Sequence, residues 1–556
     1  MQKKNLLLMS AASMMILSSC SKLGALSPDY FKVDPNPLET TAGQVPATIN
    51  GMFPEKYMKK KATVTVIPEL RYGNGEAVQG TSATFQGEKV QGNDQTISYK
   101  VGGNYTMKTN FKYVPEMQKS ELYLTFDAYI GSKKVDVPAV KVADGIIATS
   151  ELSGRTVRQA KPCLSQDAYQ RIIAHKQEAN IKFLIQQANL RKSELKNNSV
   201  QEFVEMLKKI NADKEGLNLK NVEVSAYASP DGGLKLNDKL AAQRQGNTEK
   251  YVQKTLKDTQ VKAPIDAKYT AQDWEGFQEL VKVSDIQDKD VILRVLSMYK
   301  DPEEREQQIK NMSSVFRELA EGILPELRRA RLTLNYEVIG RSDEQIVAQF
   351  KEDASKLSVE ELLYGATLVD CSAKEPYYKK AAELYNDARA YNNLAVIAYA
   401  KGDLNAARSY AEKAQKIDAG NAESNANLGL LALAAGNVSE AENYIAKAAN
   451  ANGVSEVIGN LNLMKGNYAQ AEQDFAGVNS NSAALAQLLN KNYNAAANTL
   501  GNIKNADATT EYLKAILNAR LGKNAEAATA LRNAISKDSS FAKYAENDIE
   551  LKNVSK

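Results

Sequence analysis

Residues 391–415 read YNNLAVIAYAKGDLNAARSYAEKAQ, and residues 425–449 read NANLGLLALAAGNVSEAENYIAKAA. Laid over one another at an offset of 34 residues, Asn393-Leu394 returns as Asn427-Leu428 and Gly402-Asp403 as Gly436-Asn437. Ala407, Tyr410 and Ala414 return as Ala441, Tyr444 and Ala448, while Tyr399 becomes Leu433 and stays apolar. Apolar residues at helical spacing on both sides of the Gly predict two helices per period, joined where Gly tolerates a left-handed backbone. Small residues at recurring positions predict that each pair packs closely on the next. Degenerate copies follow around Gly466-Asn-Tyr-Ala-Gln-Ala471, Lys491-Asn-Tyr-Asn-Ala-Ala496 and Gly522-Lys-Asn-Ala-Glu-Ala527, some of them shortened. An earlier hairpin, Val359 to Leu368 and Tyr377 to Tyr385, reads as a cap or a sixth unit. A shift toward Ala, Asn, Leu and Lys places the start of this all-α region near 343, so the array is expected over 343–556.

The period resembles that of tetratricopeptide (TPR) repeats. The resemblance implies a curved superhelix whose inner surface is lined by the first helix of each pair, where peptides or partner domains lie. It places Asn393 and Asn427 on that groove, able to bond a ligand's backbone; the alternative is that they only satisfy contacts between helices.

Upstream, strand and helix patterns alternate. Glu178 to Ile185 reads as a strand, Ser199 to Ile210 as a helix with Val200, Phe203, Leu207 and Ile210 on one face, and Val222 to Tyr227 as a second strand. The loop Ala228-Ser-Pro-Asp-Gly-Gly233 leads into a helix over Lys235 to Gln253, and Leu332 to Val338 reads as a last strand after the basic cluster Arg328-Arg329-Ala330-Arg331. Such alternation predicts a small α/β layer. The succession resembles the OmpA-like domain, which tethers outer membranes to peptidoglycan, with Asn237, Leu240 and Arg244 at the family's Asn, Leu and Arg. The expected domain covers 165–340, interrupted by a helical insertion over 268–327 in which Trp274, Phe277 and Leu280 share a packed face. The family grips diaminopimelate with an Asp fifteen positions before that Arg. Here the position is Ser229, and Asp231 in the Gly-rich loop is the candidate substitute. Ser229, Asp231 and Arg244 are therefore the possible peptidoglycan-binding residues, set against a reading in which the module docks proteins.

From 51 to about 150, short runs rich in Val, Thr, Tyr and Ile are separated by Gly, Asn, Pro and Lys, which predicts an antiparallel β-sandwich. It reads as a spacer or interaction module; a sugar-binding face using Tyr105 or Tyr123 is the sharper alternative. Residues 20–50, with Pro28, Pro35, Pro37 and Pro46, read as a tether. Residues 1–19 read as a secretory signal: Lys3-Lys4, an apolar stretch too short to span a bilayer, then Leu17-Ser-Ser-Cys20. That ending resembles a bacterial lipobox, which implies acylation (palmitate-type chains) of Cys20. The residues after Cys20 include neither an inner-membrane retention Asp nor an acidic export cluster, so the resemblance implies the periplasmic face of the outer membrane.

Across 556 residues, 71 Lys plus Arg against 67 Asp plus Glu leave +4, no field for nucleic acid. With one His and three Cys, multi-imidazole zinc sites are impossible, and no phosphate loop, Cys-x-x-Cys, Gly-x-Ser-x-Gly or HExxH occurs. No catalytic residue, metal or cofactor is expected. His175 reads as a surface or packing residue, and Cys163 and Cys371 as a pair that could bridge. The sequence points to a non-enzymatic periplasmic scaffold or adaptor lipoprotein held to the outer membrane by its lipid. Its expected partners are envelope proteins such as an outer-membrane barrel or transport machinery; the alternative is a peptidoglycan tether.

Overall fold

From Phe31 onward apolar side chains alternate with polar ones at the period of a strand, and the chain forms sheets with one dry face. The computed structural model describes residues 22–554 apart from 74 and 312. Its two compact units are residues up to Gln166 together with Val369 onward, and Asp167–Leu368.

The first unit begins with β1 Phe31–Asp34, β2 Leu38–Glu39, β3 Gln44–Phe53, β4 Ala62–Tyr72, β5 Glu76–Gln79 and β6 Ala83–Gly87. It continues with β7 Gln95–Ile97, β8 Gly103–Lys112, β9 Ser120–Ile130, β10 Lys133–Val135, β11 Val140–Asp144 and β12 Ile146–Ile147. One sheet runs β1-β3-β8; the larger runs β10-β9-β4-β6-β7, with β11 on β9 and β5 on β4. Val45, Ile49 and Phe53 from the first meet Val64, Val66, Leu122 and Leu124 from the second in a common core. The sandwich is thus as expected in type but starts earlier. Residues expected to be tether supply β1, β2 and most of β3: β1 and β3 join β8 in the smaller sheet, β2 pairs in parallel with β12, and Leu38, Val45 and Ile49 bury completely.

After β12 the chain makes a 3-10 turn at Thr149–Leu152, the single helical turn α1 Ser153–Thr156 and another 3-10 turn at Val157–Gln159, then runs without regular structure to 166.

The second unit contains β13 Ile172–Lys182, α2 Asn198–Ala212, β14 Leu217–Tyr227, α3 Leu234–Asp258 and β15 Ile265–Thr270. An insertion follows: α4 Trp274–Val283, α5 Lys289–Met298, α6 Pro302–Asn311, α7 Ser313–Glu318, a π-helical turn Leu319–Ile323 and α8 Leu324–Leu327. It has its own core of Phe277, Val281, Ile292, Leu296, Leu319 and Leu327, and β16 Arg329–Ile339 then returns to the sheet. The sheet order is β13-β16-β14-β15, with β14 parallel to β15 and antiparallel to β16. Phe203 and Leu207 of α2 and Val252 of α3 cover Ala179, Ile181, Val222, Val224 and Leu332. The expected insertion, 268–327, takes in the end of β15, which is a sheet strand, so the insertion begins after Thr270.

Two more helices, α9 Asp343–Asp353 and α10 Val359–Gly365, belong to this unit rather than to the array. Ser342 and Ser358 open them with capping boxes, Arg341 pairs with the buried Glu361 at 2.8 Å, and Tyr169 stacks on Tyr364. The expected hairpin of 359–368 with 377–385 is therefore divided between the units.

The array begins with α11 Lys374–Tyr385. Five pairs follow: α12 Ala388–Ala400 with α13 Leu404–Ile417, α14 Ala422–Ala434 with α15 Val438–Ile445, α16 Val454–Met464 with α17 Tyr468–Asp474, α18 Asn481–Leu489 with α19 Tyr493–Asn502, and α20 Ala508–Arg520 with α21 Asn524–Lys537. α22 Ser540–Glu546 closes the stack. Gly402, Gly436, Gly466 and Gly522 take positive φ at the turns within pairs, as their recurrence predicts; in the fourth pair Lys491 does so at φ 62.

Candidate functional site

An extended chain carries the N–H and C=O of alternate residues to the same side. Between Gln159 and Gln166 the first unit uses this geometry on itself. Asn427, on α14, accepts from Cys163 N–H through Oδ1 at 2.7 Å and donates through Nδ2 to Cys163 C=O at 2.7 Å. Asn393, on α12, makes the same two bonds with Ser165, at 2.9 and 3.0 Å. Residues spaced by two in this strap are thus read by residues spaced by one repeat. Asn392 joins the two sites: its Nδ2 donates to Cys163 C=O at 3.0 Å and to Ser165 Oγ at 3.1 Å, and its Oδ1 accepts from Asn427 at 2.9 Å. All these groups are buried. Asn393 and Asn427 do bond an extended backbone, and the backbone belongs to their own chain.

The strap runs the length of the array in the opposite direction. Arg155 reaches Asp538 and Ser540 near α22 and lies 4.6 Å over the Phe541 ring. Gln159 bonds Asn481 and Thr509 at 2.9 and 3.3 Å. Val157 C=O accepts from the Tyr399 hydroxyl at 2.5 Å, and Val157, Ala160 and Cys163 enter the core between α12 and α16. Burial pushes the Glu456 carboxyl up, offset in part by the Lys161 backbone N–H. Burial also pushes the Cys163 thiol up to about 12, with Glu423 and Glu456 adding to the effect. Two cavities flank the strap. One of about 690 Å³ is lined by Lys161, Leu164, Glu456 and the exposed Asn452, Asn479 and Asn505; another of about 830 Å³ by Arg155, Arg158, Lys537 and Asp538.

In the second unit, the residues expected to form a peptidoglycan clamp are near one another but already engaged. Arg244 on α3 is 1% exposed; Nε, Nη1 and Nη2 donate to the carbonyls of Gln187, Tyr227 and Leu184 at 3.0, 2.8 and 3.3 Å. Burial lowers its pKa to about 10, helped by Arg328 and opposed by Asp231. Asp231 accepts from the Ser229 hydroxyl and pairs with Arg328 at 2.9 Å, and Arg328 Nε donates to Ser229 Oγ at 3.2 Å. Asn237 holds the loop by donating to the carbonyls of Ser229 and Gly232. Arg328 was visible in the sequence only as part of a basic cluster. Asn392 and the strap had no local signal, since nothing in Cys163-Leu-Ser165 marks a ligand.

Cys20 lies outside the described residues. Cys163 and Cys371 are both free thiols, the first buried and the second exposed, so the possible bridge is absent. His175 is exposed on β13 and stacks on Tyr336. Tyr105 is buried against Phe53 and Phe85, which removes it as a sugar platform, and Tyr123 lies under Arg71. Trp274 packs edge-on to Phe277. Among the described residues no helix is long and apolar enough to cross a membrane.

No family model and no curated protein matches the chain. Solved structures that it resembles include a tetratricopeptide repeat protein from Parabacteroides merdae, at 16% identity over 37% of this chain and 91% of that one, with a TM-score of 0.28. Yeast Tom70 is another, at 12% identity over 64% of this chain and 83% of that one, with a TM-score of 0.24. The 34-residue period and the helix pairs make the C-terminal region a TPR-like array.

Proposed function

We propose that this chain is a non-enzymatic scaffold of the bacterial envelope, acylated at Cys20, held at the periplasmic face of the outer membrane and engaging protein partners through its repeat array. The observation that carries the reading is the groove's recognition of backbone. Asn393 and Asn427 bind N–H and C=O of alternate residues of an extended chain without reading a side chain, which is how a surface accepts polypeptide. In this protein the strap takes that position, fixing the exit of the sandwich along the array. Partners then meet what the strap leaves open, chiefly the 690 Å³ cavity and its rim of Asn452, Asn479 and Asn505. Anchoring confines the protein to a surface, so weak contacts act at high effective concentration.

The geometry favours this reading over a peptidoglycan tether. A diaminopimelate stem would have to displace Arg328 from Asp231, and three N–H groups of Arg244 already point at carbonyls. A photo-crosslinking residue in place of Asn479 should trap a defined envelope protein in cells, whereas the same residue at the exposed turn position Lys523 should not. Absence of any adduct at Asn479, or the same adduct at both positions, overturns the proposal.

A further inference from the structure

An edge strand exposes the N–H and C=O groups that its inner neighbour does not use, and proteins commonly blunt such edges. β13 is an edge: it pairs only with β16, and Phe183 N–H continues that pairing by donating to Arg328 C=O. Odd-numbered residues therefore turn their backbone groups inward and even-numbered ones outward. The outward groups at one end are blunted. Asn180 N–H donates to Ser199 Oγ and its C=O accepts from Asn197; Lys182 N–H donates to Glu194 and its C=O accepts from Arg191. The outward groups of Ile172, Ala174, Lys176 and Glu178 have no bond to any described residue. Beside them Ile172 and Ile173 are 55% and 43% exposed. Along the same edge a groove of about 350 Å³ lies between Gln177 and the outer flank of α2, lined by Gln201, Glu202, Met206 and Lys209. Gln177 Oε1 is buried without a partner.

We propose that this open edge pairs with the same edge of a second copy, antiparallel, about a two-fold axis through His175. The occupant follows from the register. The free run 172–178 is centred on 175, so full overlap sets Ile172 against Glu178 and Ala174 against Lys176, with no like charges directly opposed. Four outward residues on each copy, each giving one N–H and one C=O, supply eight interchain bonds. The same register sets Ile173 of the second copy opposite Gln177, at the mouth of the groove. Its exposed side chain thereby gains Met206 and the stem of Lys209 as apolar neighbours. An isologous pair needs one sequence used twice.

The two-fold makes a sharp test. Residue 175 forms a non-hydrogen-bonded antiparallel pair with itself, with Cα atoms about 4.5 Å apart, within disulfide reach. Residue 173, two positions from the axis, is too far from its own copy. In full chain with Cys20→Ser and Cys371→Ser, His175→Cys treated with oxidised glutathione should run mostly at twice the monomer mass without reductant; Ile173→Cys should stay monomeric. Adding Ala174→Pro removes only an outward N–H with no internal bond, a change edges tolerate, and should abolish the dimer while sedimentation and circular dichroism remain those of folded monomer. Three results each overturn the proposal: no dimer with His175→Cys, equal dimer with Ile173→Cys, or a dimer that survives Ala174→Pro in folded protein. A mixed disulfide with a different protein, in envelope preparations, would give the edge to another partner and refute self-pairing.

Discussion

Asn427→Ala is the substitution that most directly asks whether the strap is held by its backbone. It removes the acceptor of Cys163 N–H and the donor to Cys163 C=O. The carbonyl keeps Asn392 at 3.0 Å, but the N–H is left buried and unpaired. An orphaned buried donor costs about 1–3 kcal/mol and the lost second bond about 1 more. At about 1.4 kcal/mol per tenfold, the resulting ~2–4 kcal/mol should raise the population of the unseated strap by roughly 30- to 1000-fold. The reporter is built in. Cys163 is 2% exposed, its thiol is pushed up to about 12, and it reacts only when the strap leaves. In full chain with Cys20→Ser and Cys371→Ser, labelling of Cys163 by a thiol reagent should accelerate by at least about 30-fold, with helical circular dichroism unchanged. Asn393→Ala should act in the same direction through Ser165, and Asn452→Ala on the exposed rim should not. A rate within about threefold of the parent, or equal acceleration by Asn452→Ala, would refute the idea that these bonds seat the strap.

Asp548, buried under the Tyr512 hydroxyl at 2.6 Å, has its carboxyl pushed up to about 6 by burial and then by Glu550. The native state therefore keeps a proton that an unfolded Asp releases near ~4. The stabilisation is complete below that pH and is lost as pH rises through 6, on the order of 2–3 kcal/mol. Denaturation midpoints should show Asp548→Asn gaining on the parent between pH 4 and 6 and holding a constant lead above; a pH-independent difference would contradict this. Arg244→Ala should lower the urea-unfolding free energy of the second unit, followed by the fluorescence of Trp274, the chain's single Trp, by roughly 3 kcal/mol or more, because three carbonyls lose their donor. Arg244→Lys should not restore it, since an ammonium lacks the fork that spans them. An unchanged midpoint would assign Arg244 to a ligand instead.

The period of 34 residues, the turn glycines and the alternation of the strands are local properties, and they specify the helix pairs and the β and α/β layers. Local patterns also placed Asn393 and Asn427 on the groove, by resemblance. What they could not supply was the groove's occupant. Cys163 and Ser165 are held by Asn427 and Asn393 through backbone groups, which no side-chain pattern marks, and they lie 264 and 228 residues from those Asn residues. Boundaries failed for a related reason: Leu38 and Val45 belong to a strand only because a second sheet buries them, and α9 and α10 join the second unit through contacts such as Arg341 with Glu361. In the second unit the resemblance read from the sequence named Ser229, Asp231 and Arg244. Only the fold brought Arg328 across from the far end of the insertion to neutralise Asp231, and aimed Arg244 at carbonyls of its own chain. Periodicity determines which elements form because each needs one apolar face; which partner satisfies a backbone group or a charge is decided when distant segments meet.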